Sequence, residues 1–80
     1  MIRLGKQSRL KPAEVVQKAV DFFGPAGLGL EVQERTETSV SLKGGGGSIT
    51  VQAKATDGGA DVDIMVVEWD YQANQFMSRI

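Results

Sequence analysis

The chain contains neither cysteine nor histidine. No disulfide framework, thiolate nucleophile or imidazole base is therefore available, which excludes most zinc sites and every nucleophile–histidine mechanism. No apolar run approaches the ~20 residues that span a bilayer. Residues 1–10 also lack the continuous apolar core of a signal peptide, so a cytoplasmic protein with no membrane contact is expected. Neither sign of charge dominates: 9 basic and 10 acidic residues leave a net charge of −1, which by itself names no partner. The distribution is less even, because Arg3, Lys6, Arg9 and Lys11 all precede the first acid, Glu14. Contact of this basic arm with nucleic acid is weighed against an ordinary solvated terminus, and the latter is the expectation.

Eighty residues make one domain, spanning 1–80. A domain of this size buries only about 60–65% of the surface its unfolded chain exposes, which argues against a roomy internal cavity. Residues 1–10 show no clear period. Ile2 to Leu4 could add a short edge strand, but a mobile arm is the expectation.

From Pro12 to Phe23 the pattern is helical. Proline belongs in the first turn, and Val15, Val16, Ala19, Val20 and Phe23 fall on one face. Glu14 and Lys18 stand at the favourable i,i+4 separation. Gly24-Pro25 ends the helix, with glycine expected as a left-handed cap. Leu28, Leu30 and Val32 then alternate with polar residues as one strand, and Val40 and Leu42 mark another. The joint at Glu34 to Thr38 carries no glycine, proline or asparagine, and a hairpin there is preferred to one strand of excessive length.

Gly44-Gly45-Gly46-Gly47-Ser48 reads as a mobile connection between strands, since each glycine loses much backbone entropy on ordering. It matches a flexible linker unit common in engineered proteins, and it lacks the Lys-Ser/Thr and helix of a phosphate-binding loop. Beyond it, Ile49, Val51, Ala53 and Ala55 alternate with polar residues, as do Ala60, Val62, Ile64 and Val66. Asp57-Gly58-Gly59 between them predicts a hairpin with a primed turn, either at Asp57-Gly58, which sets Lys54 opposite Asp61 and is preferred, or at Gly58-Gly59, which sets it opposite Asp63. Asp70 is expected to cap a final helix in which Ala73, Phe76, Met77 and Ile80 share a face.

The expected architecture is α+β: a two-layer domain with a four-stranded antiparallel meander and an N-terminal and a C-terminal helix on one face. The core is assigned to Val16, Val20, Phe23, Leu30, Val32, Val40, Leu42, Ile49, Val51, Val62, Ile64, Val66, Phe76 and Met77. The helix–meander–helix order resembles a minimal helix-grip arrangement, in which a curved sheet wraps a helix. That likeness concerns topology alone and transfers no function.

One place breaks the pattern. The row that should face water turns apolar at Met65, Val67 and Trp69. A strand apolar on both sides is usually covered on both sides, here by the N-terminal arm or the start of the last helix; otherwise the three residues form an exposed patch. Tryptophan and methionine are enriched at protein interfaces, so these residues are the candidate interface or ligand site. Asp57, Asp61 and Asp63 lack the single concave turn of a calcium loop, and no metal is expected. Glu68 and Asp70 beside Trp69 could supply a general acid, but no second group or pocket accompanies them. The expectation is a non-enzymatic interaction module without cofactor, forming a homodimer or binding a protein partner through Met65, Val67 and Trp69. The alternative is a binder of a small apolar ligand, with Trp69 as a wall.

Overall fold

The computed structural model describes residues 2–80; Met1, the first residue of the expected arm, lies outside them. The elements follow in the order β1 (Ile2–Ser8), α1 (Pro12–Phe23), β2 (Glu31–Arg35), β3 (Ser39–Gly44), β4 (Gly47–Thr56), β5 (Gly59–Val67) and α2 (Asp70–Arg79). One antiparallel sheet in the order β1-β5-β4-β3-β2 carries both helices, an α+β architecture. Cα extents of 36 × 21 × 16 Å leave depth for one sheet and one helical layer, since packed layers lie about 10 Å apart.

The expected four strands are five. Where the sequence shows no period, Ile2–Ser8 pairs with β5 from Ile2↔Val66 to Ser8↔Ala60. The missing alternation has a local cause. Lys6 and Ser8 occupy inward positions, where they serve the end of α2 instead of the core. The Lys6 ammonium donates to the Met77 carbonyl at 2.6 Å, and the Ser8 hydroxyl donates to the Ile80 carbonyl at 2.9 Å. The last carbonyls of a helix have no partners within it, and a cation there also meets the negative end of the helix dipole. Two polar side chains that read as a frayed terminus are thus the fastening of the C-terminal helix.

α1 crosses the inner faces of β3, β4 and β5, while α2 lies over β5 and β1. The assigned core residues are buried, except that Val20 and Val32 are half-buried. Val15, Ala19, Ala53, Ala60 and Ala73 complete the layer. The two helices meet through aromatic rings, Phe23 and Phe76 with centroids 5.1 Å apart and Phe22 and Phe76 at 5.8 Å. The Arg79 guanidinium lies 5.3 Å from the Phe22 ring.

Several local expectations change. β2 begins at Glu31, leaving Leu28 39% exposed in the preceding turn. A bulge between Val32 and Glu34 then shifts the register, so that Arg35, not Glu34, lies opposite Val40. Gly24 has φ −75° and is no left-handed cap; a Cβ there would stand 2.3 Å from the Val20 carbonyl oxygen, so close approach demands the glycine. Glu14 accepts a hydrogen bond from the Lys11 amide at 3.3 Å, at the start of α1. Trp69, not Asp70, occupies the N-cap of α2, and it makes no side-chain cap bond. Asp70 is the first helical residue, where its charge suits the positive end of the dipole. The β4–β5 turn does fall at Asp57-Gly58, setting Lys54 opposite Asp61. It is not the primed type, since neither residue has positive φ and Gly59 takes 151° instead.

Phe23, fully buried between α1, α2 and the sheet, tests the filled inner layer. Phe23→Ala is expected to lower stability by about 3–5 kcal/mol, close to the whole stability of a chain this short. Urea denaturation measures it, and a loss below about 1 kcal/mol would contradict the packing described.

Candidate functional site

Odd-numbered residues of β5 point away from the helices. Met65 stands between Thr50 on β4 and Arg3 on β1, and Val67 lies beside Ser48. Met65 is 45% exposed and Val67 is half-buried. Around them the outer face is polar: Arg3 reaches Asp63 at 3.5 Å, and the Ser41 and Thr50 hydroxyls are 3.5 Å apart. A shallow open depression lined by Ser39, Gln52, Lys54, Asp61 and Asp63 lies on the half of this face nearer the β4–β5 turn.

Among the described residues, neither segment expected to cover the apolar row lies over it. The N-terminal residues form β1, edge to edge with β5, and α2 buries Ala73, Phe76 and Met77 on the opposite side of the sheet. Met65 and Val67 therefore remain on the outer face. Trp69 does not share their position. Glu68 has φ 77°, the one positive value outside glycine among the described residues. That twist ends the strand and turns Trp69 against the β3–β4 turn and the margin of the core.

The seat for this indole is the glycine run. Gly44 pairs with Gly47, closing a two-residue turn in which Gly45 and Gly46 have φ 59° and 83°. Positive φ at both central residues is the primed hairpin geometry, which bulkier residues rarely adopt. The run is therefore a tight turn between paired strands and not the expected mobile connection. Absent side chains also make room for the ring. A Cβ on Gly45 would come 2.8 Å from Cζ2 of Trp69, and one on Gly47 would come 2.1 Å from the Val67 carbonyl oxygen and 3.1 Å from Nε1. Nε1 donates to the Gly44 carbonyl at 3.2 Å, satisfying the polar tip of a largely apolar ring. Pairing signals of this kind are hard to read in a sequence: Gly-Gly flanked by strand residues was the available cue for the turn, but its partner lies 25 positions away.

Glu68 and Asp70 are exposed. Among the described residues no group of three acids, histidines or cysteines gathers closely enough to hold a metal ion, and no helix is long and apolar enough to cross a membrane. Comparison with protein-family models, with curated proteins and with solved structures finds no match to this chain.

Two substitutions test the indole seat. Gly47→Ala is expected to cost about 2 kcal/mol or more and to red-shift Trp69 emission, because backbone and ring must both withdraw. Gly58→Ala, with nothing within 4 Å of the added carbon, is expected to stay within about 0.5 kcal/mol. Equal effects would contradict the seat. Glu68→Gly is expected to stabilise the fold by up to about 1 kcal/mol by relieving the left-handed backbone, measured by thermal unfolding.

Proposed function

We propose that this protein is a non-enzymatic interaction module that associates with further copies of itself through the outer face of its sheet, centred on Met65 and Val67. The observation that carries the reading is a methionine almost half exposed on β5, between β1 and β4, in a sheet whose two described helices pack on the other side. Around it Thr50, Ser41 and Ser48 are small and uncharged, while Lys43, Lys54 and Asp61 stand further out on the same face, where a partner would leave them at the wetter rim. Arg3 and Asp63 flank the same region as opposite charges, which suits antiparallel stacking of two identical faces.

Size limits the strength of such a contact. Five strands about 4.8 Å apart and about seven residues long give a face of roughly 550 Å². A standard stable interface uses about 800 Å² from each partner. One copy stacked on one other would therefore be weak, dissociating at micromolar concentrations or above.

The alternative, a binder of a small apolar ligand walled by Trp69, has less support because the indole is engaged by the glycine turn. A notch between the helices, lined by Lys18, Asp21, Phe22, Phe76, Arg79 and Ile80, is a better place for such a molecule. It is open and half polar, however, and no buried polar side chain is left unpaired there among the described residues.

Met65→Glu tests the face. The new carboxylate would stand opposite Arg3, so the fold should persist, while two copies would bring like charges together. The variant is expected to show a lower mass than the wild-type protein by light scattering at high micromolar concentration. An unchanged mass would overturn the proposal.

A further inference from the structure

We infer that a second copy of this chain pairs with the free edge of β1, antiparallel about a two-fold axis at Gly5, to give one continuous ten-stranded sheet. The inference goes beyond the face contact and does not depend on it.

The direction of every backbone group along this edge follows from the turns. Gly44 and Gly47 close a two-residue hairpin and so form a hydrogen-bonded pair, after which bonded and non-bonded pairs alternate. The Ala53 amide donates to the Thr38 carbonyl at 2.8 Å, so odd residues of β4 bond towards β3 and even ones towards β5. By the same alternation, odd residues of β5 bond to β4 and even ones to β1. The even residues of β1 are thus engaged. Arg3, Gly5 and Gln7 aim their amides and carbonyls outwards, away from the sheet.

The two edges of the sheet are guarded differently. β2 is five residues long, bulged, and carries exposed Glu31, Glu34 and Arg35, the usual devices that prevent another strand from adding. β1 is regular over seven residues with no bulge. Its two cations lean away from the edge: Arg3 reaches back across β1 towards Asp63 on β5, and the Lys6 ammonium donates to the Met77 carbonyl. Gly5 is also unexplained by its own chain. It has no positive φ, and a Cβ there would meet its nearest atom at an ordinary 3.5 Å. Glycine inside a strand weakens it and often marks the close approach of another backbone.

With Gly5 facing Gly5, Arg3 of each copy lies opposite Gln7 of the other and Leu4 opposite Lys6. No like charges are directly opposed, and the three outward residues of each chain form up to about six inter-chain hydrogen bonds. Both copies of α2 then lie on the same face. Each sits over β1 and β5, so their axes are about 10 Å apart, the ordinary distance for packed helices. Because the pairing is two-fold it uses up the edge and closes without forming a fibre. It would also double the outer face to roughly 1,100 Å², above the ~800 Å² of a standard interface.

The test uses Met65→Glu as the background, so that the face contact plays no part. Gly5→Pro removes an amide that is unbonded within the chain, a change an edge strand tolerates. The single variant Met65→Glu is expected to be a dimer by light scattering at high micromolar concentration, and Met65→Glu/Gly5→Pro a monomer with the same circular dichroism spectrum. Lys6→Pro, which deletes a bond to β5, is expected to lose the fold. A monomeric Met65→Glu variant, or equal masses with and without Gly5→Pro, would overturn the inference. Should Gly5→Pro fail to fold, amide exchange of the Met65→Glu variant decides: slowing of Arg3, Gly5 and Gln7 with rising concentration supports the edge pair, and exchange independent of concentration refutes it.

Discussion

Two helices of 12 and 10 residues are the cover available to a five-stranded sheet, and both lie on one side of it. Everything else follows from that shortage. Apart from Lys6 and Ser8 the inner rows of the sheet are largely apolar because they alone are shielded, and apart from Met65 and Val67 the outer rows are largely polar because neither helix reaches them. At this size there is little surplus of buried area, so each helix must be fastened as well as packed. α1 is held by its apolar stripe over the middle strands. α2 is shorter, and it relies on Phe76 against Phe23 and on the hydrogen bonds that Lys6 and Ser8 donate to the carbonyls at its end.

Much of this layering was legible in the sequence. Alternation in β3, β4 and β5 and the helical spacing of Val15 to Phe23 and Ala73 to Met77 are local signals, and each leads to the face the structure shows. What escaped depended on partners far along the chain. β1 looked formless because Lys6 and Ser8 answer to the end of α2, more than 70 residues away. The glycine run looked slack because its constraint is Trp69, and Gly24 looked like a left-handed cap although close approach to the Val20 carbonyl is what requires it. Arg35 faces Val40 only because a bulge at Gln33 resets the register, and no residue type announces a bulge there.

The candidate site was legible in part. Met65 and Val67 lie on the outer face as their alternation implies, whereas Trp69 leaves the strand at Glu68 and becomes part of the architecture. This division separates two uses of large side chains that look identical in a sequence. An indole with its N–H satisfied and its ring seated on glycines stabilises a turn; a thioether in the open rows of a sheet is free to meet another surface. The proposal of an interaction module rests on the second, and the edge pairing inferred for β1 would add assembly by hydrogen bonds instead of apolar contact.

The absence of cysteine makes the central claim, one dry face and one wet face on the same sheet, directly measurable. Single cysteines placed at Gln52, exposed, and Ala53, 4% exposed, are neighbours in β4 on opposite faces. The account predicts that Gln52→Cys reacts with a thiol reagent at nearly the rate of a free thiol in dilute solution, while Ala53→Cys reacts only through unfolding, orders of magnitude more slowly. Equal rates, or a protected Gln52→Cys beside a reactive Ala53→Cys, would contradict it.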